Sequence, residues 1–367
     1  MAHIGIDARL THYRVGGISR YITALIRALE QFQTPHRFTL LQSRKARERL
    51  SARFATASAW TPPHHTLERA ALSIELARCR FDLLHSPDFI APIRGARRHV
   101  ITVHDLSFIH YPEYITAASR HYYNGQIVAS VRRADHILAD SEATKTDLID
   151  ILDVPAESIT VHMLGVDERF KPLTPECSEP ALRSLELPDN YFLFVGTLEP
   201  RKNLVGLAQA YRELKLEYAD APKLVVVGRP GWHYEQLMTD LRATGIGADL
   251  IIKQDVTDAQ LPALYSQALA LITPSFYEGF GLTALEAMAC GTVPIVSRVA
   301  SLPEIVGDVG LLIDPHDIGS ITDGLARVLS DSGWRERQEQ AALERAAGFR
   351  WSDTARIALD CYEMALS

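Results

Sequence analysis

The residues best suited to chemistry lie in the rear half of the chain, in the run Ser275-Phe276-Tyr277-Glu278-Gly279-Phe280-Gly281-Leu282-Thr283-Ala284-Leu285-Glu286-Ala287-Met288-Ala289-Cys290-Gly291. Gly279 and Gly281 permit a tight turn into a helix, and the first amides of a helix lack intrahelical partners, so they can face a sugar or a phosphate. Glu278 stands before that helix and Glu286 about one turn inside it, which predicts a first turn presenting carboxylates to a bound polyol. Leu282, Leu285 and Met288 form the apolar stripe that anchors the helix from behind. The plain alternative for two glutamates near a helix start is stabilisation of the helix dipole, worth about 0.3–1 kcal/mol each at exposed positions. It explains Glu278 less well, because a carboxylate buried against Tyr277 and Phe280 is costly unless a ligand uses it.

Three further groups follow predicted strands, where open α/β sheets bind their ligands. Gly196-Thr197-Leu198-Glu199-Pro200-Arg201-Lys202-Asn203 supplies two cations, Arg201 and Lys202, suited to a diphosphate, although exposed basic pairs are usually plain surface. Arg14-Val15-Gly16-Gly17-Ile18 pairs Gly16 with Gly17 before a helix start, where backbone amides can approach an anion. The strict dinucleotide fingerprint is absent there, and a flexible turn is the alternative. His104-Asp105 ends another strand, and an imidazole near its working pKa could donate to a substrate hydroxyl or phosphate, with Asp105 as a turn cap.

The elements that must position these groups read as α/β, with short apolar runs alternating with helical patterns. Strands are predicted at His3 to Asp7, Phe38 to Gln42, Leu83 to His85, His99 to His104 and Ile137 to Ala139. Ile18, Ile22, Leu25, Ile26 and Leu29 recur near the helical period and predict a helix from Ile18 to Leu29. Prolines between Lys171 and Asn190 argue against regular helix and place the domain linker there. A second series opens at Tyr191 to Val195 and continues at Lys223 to Val227, Leu250 to Ile252, Leu269 to Ile272 and Thr292 to Val296. The expected organisation is two Rossmann-like parallel-sheet domains, residues 1–172 and 173–350. Residues 351–367 form an amphipathic helix expected to pack back toward the first domain.

Composition sets the outer limits. A chain of 367 residues exceeds the roughly 150 of a typical domain, and 47% hydrophobic with 23% charged residues is ordinary for globular proteins. The net charge of -7 divides into about +3 for the front half and -10 for the rear, a field too weak to argue for nucleic acid and screened beyond about 8 Å at physiological salt. Cys79, Cys177, Cys290 and Cys361 have neither metal-ligand nor redox spacing, no acidic cluster suggests a divalent ion, and the expected compartment is a reducing cytoplasm. No signal-peptide core and no membrane-spanning run is expected. Arg44-Lys45-Ala46-Arg47-Glu48-Arg49 with Arg53 near Trp60 raises peripheral contact with an anionic membrane, against the simpler reading of a solvated helix face.

Together these motifs resemble glycosyltransferase family four, retaining enzymes of the two-Rossmann-domain GT-B architecture, with similarity from the first strand to about Asp317. Its most specific stretch is the pair of glutamates separated by seven residues, here Glu278 and Glu286. The resemblance implies that Glu278 binds the donor sugar's hydroxyls, Glu286 the ribose, and Arg201 and Lys202 the diphosphate, with the backbone of Gly279, Phe280, Gly281 and Leu282 assisting. It matches Gly16 and Gly17 to the N-terminal glycine loop and His104, in His-Asp-Leu-Ser-Phe, to a sugar-contacting histidine. Gly-Gly-Ile-Ser-Arg-Tyr, Gly-Thr-Leu-Glu-Pro-Arg-Lys-Asn-Leu and Val-Gly-Arg-Pro-Gly-Trp also resemble bacterial mannosyltransferases of surface-polysaccharide assembly, making GDP-mannose the leading donor. The resemblance also implies that the two domains face a cleft, residues 1–172 binding the acceptor, a glycan or a lipid-linked saccharide, and 173–350 the nucleotide-linked donor, and it implies no cofactor or metal. Thr197 stands where many relatives carry Arg, and Leu164 where many carry Asn. The alternatives are a related transferase using UDP-glucose or another donor, and a nucleotide-binding scaffold without turnover.

Overall fold

The computed structural model describes residues 1–13 and 16–367, so Arg14 and Val15 of the glycine-loop motif lie outside the described residues. By contact the chain divides into two compact units, one comprising Met1–His110, Ala117–Gly165 and Arg350–Ser367, the other Tyr111–Thr116 and Val166–Phe349.

The first unit is built on β1 (His3–Asp7), β2 (Arg37–Ser43), β3 (Ala55–Ala59), β4 (Phe81–Ser86), β5 (Ala96–Val103), β6 (His136–Ala139) and β7 (Ile159–Val161). All are parallel, in the order β3-β2-β1-β4-β5-β6-β7. The runs Phe38-Leu40-Leu41 and Val100-Ile101-Val103 are apolar on both faces because helices cover both sides of such a sheet. Helix Gly17–Leu29 buries Ile22, Leu25, Ile26 and Leu29 of the stripe its periodicity predicts, with Tyr21 buried in addition and Ile18 only half-buried. The last helix, Trp351–Leu366, packs on that helix and on β4, β5 and β6. Its buried face is mostly small, with Ala355, Ala358 and Cys361 beside Tyr362, so the backbone approaches the sheet closely.

The second unit repeats the plan with β8 (Tyr191–Val195), β9 (Lys223–Val227), β10 (Leu250–Lys253), β11 (Ala268–Thr273), β12 (Pro294–Ser297) and β13 (Leu311–Ile313). Their order is β10-β9-β8-β11-β12-β13, again parallel. Phe192, Phe194, Leu207, Tyr211, Val226, Ile272, Ile295 and Leu325 centre its core. In each sheet the chain winds outward on one side, then returns to continue on the other. The reversal falls between β1 and β4 in the first sheet and between β8 and β11 in the second. At such switch points the loops leaving neighbouring strands diverge and leave a crevice for a ligand.

Two expectations need correction. The stretch read as linker contains a helix, Pro175–Ser184: Pro175 sits at the first helical position, where no N–H is needed, and Thr174 caps the end by accepting from the Cys177 amide. Pro180 removes one helical hydrogen bond from an otherwise half-exposed segment, which the packing of Leu182 and Ser178 offsets. The basic segment from Arg44 to Arg49 follows β2 as turns and irregular chain, not as a helix face. Among the described residues no helix is long and apolar enough to cross a membrane.

Candidate active site

At the switch point of the second sheet, the loops after β8 and β11 converge. The β8 loop ends in a short helical turn, Pro200–Lys202, stopped by Asn203 in the left-handed conformation. Asn203 donates from Nδ2 to the Pro315 carbonyl at 2.7 Å, fixing the turn against the unit. The β11 loop carries Ser275 to Gly281 and is held from several sides: the Phe276 amide donates to the Arg201 carbonyl at 3.0 Å, Tyr111 Oη to the Phe276 carbonyl at 3.1 Å, and Ser301 Oγ to the Glu278 carbonyl at 2.8 Å.

The structure brings Glu278, Arg201 and Lys202 together. Glu278 Oε1 accepts from Lys202 Nζ at 2.5 Å and from Ser275 Oγ at 2.7 Å, and Oε2 lies 3.6 Å from an Arg201 nitrogen. Arg201 also donates to the Tyr277 carbonyl at 2.5 Å and to Glu199 Oε1 at 2.8 Å. Burial alone would raise the Glu278 pKa, but Lys202 and Arg201, with the hydroxyl of Ser275, hold it below the usual carboxylate range. All four charged side chains are largely buried, Glu278 with 12% of its side chain exposed, so their Coulomb terms are far less screened than at the surface. Glu199 and Ser275 were quoted in the sequence motifs without a role. Glu199 completes the charge balance, two acids against two bases.

Helix Leu282–Ala289 begins after Gly281, whose φ of +102° is a conformation glycine adopts without strain. Its first turn carries no acidic residue, which corrects the expected presentation of carboxylates there. Because the helix starts as late as Leu282, Glu286 faces the interior, 4% exposed, and its Oε2 accepts from Tyr265 Oη at 2.8 Å. The backbone of Gly279 and Phe280 precedes the helix, with the Phe280 ring buried edge-on to Phe349. The amides of Leu282 and Thr283 come before the first intrahelical bonds, which run from Ala284 and Leu285 back to Gly281.

In the first unit, His104 lies just past β5. Its Nδ1 is 2.7 Å from Asp140 Oδ2 and its Nε2 2.9 Å from the Pro87 carbonyl. Burial pulls the ring's pKa down, but the charge and hydrogen bond of Asp140, the charge of Asp88 and the Pro87 carbonyl outweigh it and push it up to about 9. The expected imidazole near its working pKa is therefore an imidazolium at neutral pH. Asp105 caps as expected, its Oδ1 accepting from the amide and hydroxyl of Ser107 at 2.9 and 2.7 Å. Gly16 is extended at φ -177° and Gly17 opens the following helix, and a Cβ at either would meet nothing within 4 Å. Among the described residues, neither packing nor backbone conformation demands glycine at these positions.

Two doubly wound parallel sheets lie in one chain, with an ionised carboxylate and two cations at the carboxyl edge of the second, a setting suited to a phosphorylated, hydroxyl-rich ligand. Residues 15–170 match the family model "Glycosyltransferase Family 4", and residues 182–345 match "Glycosyl transferases group 1". The chain is 36% identical over 284 residues to the O-antigen chain mannosyltransferase B of Escherichia coli, covering 77% of this chain and 74% of that protein. It is 32% identical over 255 residues to the serotype-specific mannosyltransferase WbdA of Escherichia coli, spanning 67% of this chain but only 31% of that longer protein. Among solved structures, Anabaena Alr3699/HepE in complex with UDP and glucose superposes with a TM-score of 0.79 at 16% identity, over 99% of this chain and 100% of that one. The chain belongs to the family-four glycosyltransferases of the GT-B fold.

Proposed function

We propose that this glycosyltransferase transfers mannose from GDP-mannose, with retention of configuration, to a glycan or lipid-linked acceptor of surface-polysaccharide synthesis. The observation that carries the reading is Glu278, ionised and held between Lys202 and Arg201 at the switch point of the second sheet. The mannosyltransferase relatives support the choice of sugar. On donor binding, Lys202 and Arg201 turn to the diphosphate and Glu278 accepts from sugar hydroxyls, exchanging one set of charge-assisted contacts for another. The backbone from Gly279 to Leu282 faces the phosphates, and Glu286 takes the ribose by exchanging its bond from Tyr265 for one from the sugar. As the sugar–phosphate bond breaks, negative charge grows on the departing diphosphate, and the two cations stabilise it in place. The departing phosphate oxygen takes the acceptor proton on the same face. This reading uses no metal, so turnover should persist in EDTA.

The test is a donor panel with a mannose-terminated oligosaccharide as acceptor. GDP-mannose should be the fastest substrate; faster turnover of UDP-glucose would replace the donor assignment with its rival. Glu278→Ala should abolish transfer while the protein still melts cooperatively, and full activity in that variant would remove Glu278 from the mechanism; the nucleotide-binding scaffold becomes the better reading only if the parent protein binds donor and turns over none. We place the reaction in the cytoplasm, a choice supported by four free cysteines among the described residues. Peripheral membrane contact has one observation in its favour: Trp60, 67% exposed, with the Arg44 guanidinium 4.0 Å above its ring. Sedimentation with anionic vesicles tests it, and binding indifferent to salt or absent altogether rejects it.

A further inference from the structure

The Pro87 carbonyl can only accept a hydrogen bond, so His104 Nε2 carries a proton. The Asp140 carboxylate also accepts, so Nδ1 carries one too, and the geometry alone makes the ring cationic. Asp140 follows β6, is 2% exposed, and directs one oxygen at His104; its other oxygen, Oδ1, is buried with no hydrogen-bond partner among the described residues. That oxygen lies 3.9 Å from His162 Nε2, beyond hydrogen-bond reach. A buried carboxylate with an idle oxygen demands an explanation. Capping is not it, because the helix that follows, Glu142–Leu152, is capped by Ser141, whose Oγ accepts from the Thr144 amide at 3.1 Å.

We propose that Asp140 is a positioning residue for sugar transfer: it fixes the His104 ring and both of its protons at the carboxyl edge of the first sheet, so that a cationic N–H meets an oxygen of a sugar substrate. The proposal rests on the reading of His104 as a sugar contact. The sugar oxygen shares or replaces the Pro87 carbonyl at Nε2, while the Nδ1 bond keeps the ring from rotating away. The other groups facing the ring are consistent with this role. Asp88, after β4, adds negative charge and is itself bonded to His64 Nε2 at 2.9 Å. Tyr21 stands edge-on at 5.0 Å, and Thr144 Oγ1 donates to the His104 carbonyl at 3.2 Å. His85 and His162 lie on the same side, but burial, first among the causes, depresses both their pKa values, so at neutral pH they add no positive charge to compete for Asp140.

The experiment is Asp140→Asn beside Asp140→Glu, with GDP-mannose and a mannose-terminated oligosaccharide, each variant checked by thermal melting. His104 is followed through its ring proton by NMR, and kcat/KM is measured from pH 6 to 10. In the Asn variant the His104 titration should fall from about 9 toward the ordinary 6.5, and kcat/KM should drop about 30-fold at pH 8 yet little at pH 6. The Glu variant, which keeps the charge, should restore most of the alkaline limb; should the Asn variant fail to fold, this limb alone decides, and its loss counts against the role. An unmoved titration overturns the proposal, and so does a moved titration with an unchanged pH profile. Failure of the parent reading is separately visible, as wild-type protein that turns over no GDP-mannose.

Discussion

At the scale of single residues, the four charges around Glu278 are mutually dependent. Removing Lys202 takes away a contact at 2.5 Å and leaves Glu278 with Arg201 at 3.6 Å. Lys202→Met should therefore let the Glu278 pKa rise and weaken donor binding, since a charge-assisted contact of this kind contributes about 1.5–3 kcal/mol. The expected reading is a 10- to 100-fold rise in KM for GDP-mannose, and an unchanged KM would remove Lys202 from the donor site. That the Glu278 and Arg201–Lys202 motifs both follow strands of the second half was legible in the sequence; that their charges pair directly was not. Asp140 was not, since nothing near it in the chain hints at His104, 36 positions earlier. Glu286 was legible as a motif but not in its orientation, because two glycines before a helix do not say at which residue the helix begins.

Single elements show where local pattern suffices. β1, β8, β9 and the last helix run between the residues their apolar runs and periodicity indicate. Ala55–Ala59 and Ile159–Val161 went unread, the first because Ala-Thr-Ala-Ser-Ala has no apolar contrast, the second because three residues give no period. The last helix also bears on the polar interior of the first unit. His162 Nδ1 faces the Ala139 carbonyl at 3.1 Å, which can only accept, so its Nε2 accepts from Tyr21 Oη at 3.0 Å. The direction then propagates: Thr102 Oγ1 donates to Tyr21, His85 Nε2 donates to Thr102, and Tyr362 Oη donates to His85 Nδ1 at 2.7 Å. Tyr362→Phe strands a buried acceptor at the end of this chain and should cost about 1–3 kcal/mol of stability, read as a lower denaturation midpoint with an unchanged m-value. Gly165→Ala should be worse, because a Cβ there would lie 2.1 Å from the Trp351 backbone nitrogen, where no side-chain rotation gives relief. A variant as stable as the parent would mean that this junction moves freely.

Across the whole molecule, the buried histidines are concentrated in one unit, and this fixes how each unit should respond to pH. His85, His99, His136 and His162 all belong to the first unit, and burial, in each case the leading cause, depresses their pKa values, that of His99 to about 4. Below the ordinary value of 6.5 the unfolded chain binds more protons at these sites than the folded one, so stability falls as the pH drops toward 4. For His99, 3% exposed, the full effect is of order 3 kcal/mol. His104 has the opposite sign: its contribution is complete below 6.5 and is lost as the pH rises through about 9. The first unit is thus squeezed from both sides, with its greatest stability near pH 6.5. In the second unit, the depressed carboxylate of Glu278 contributes stability that is present above the ordinary 4.5 and lost only on stronger acidification. Between pH 7 and 5, hydrogen exchange in peptides spanning β4 to β7 should therefore accelerate, after correction for intrinsic rates, while peptides spanning β8 to β12 stay protected. Equal loss in both sets, or earlier loss in the second, would show that the histidines do not control the acid response.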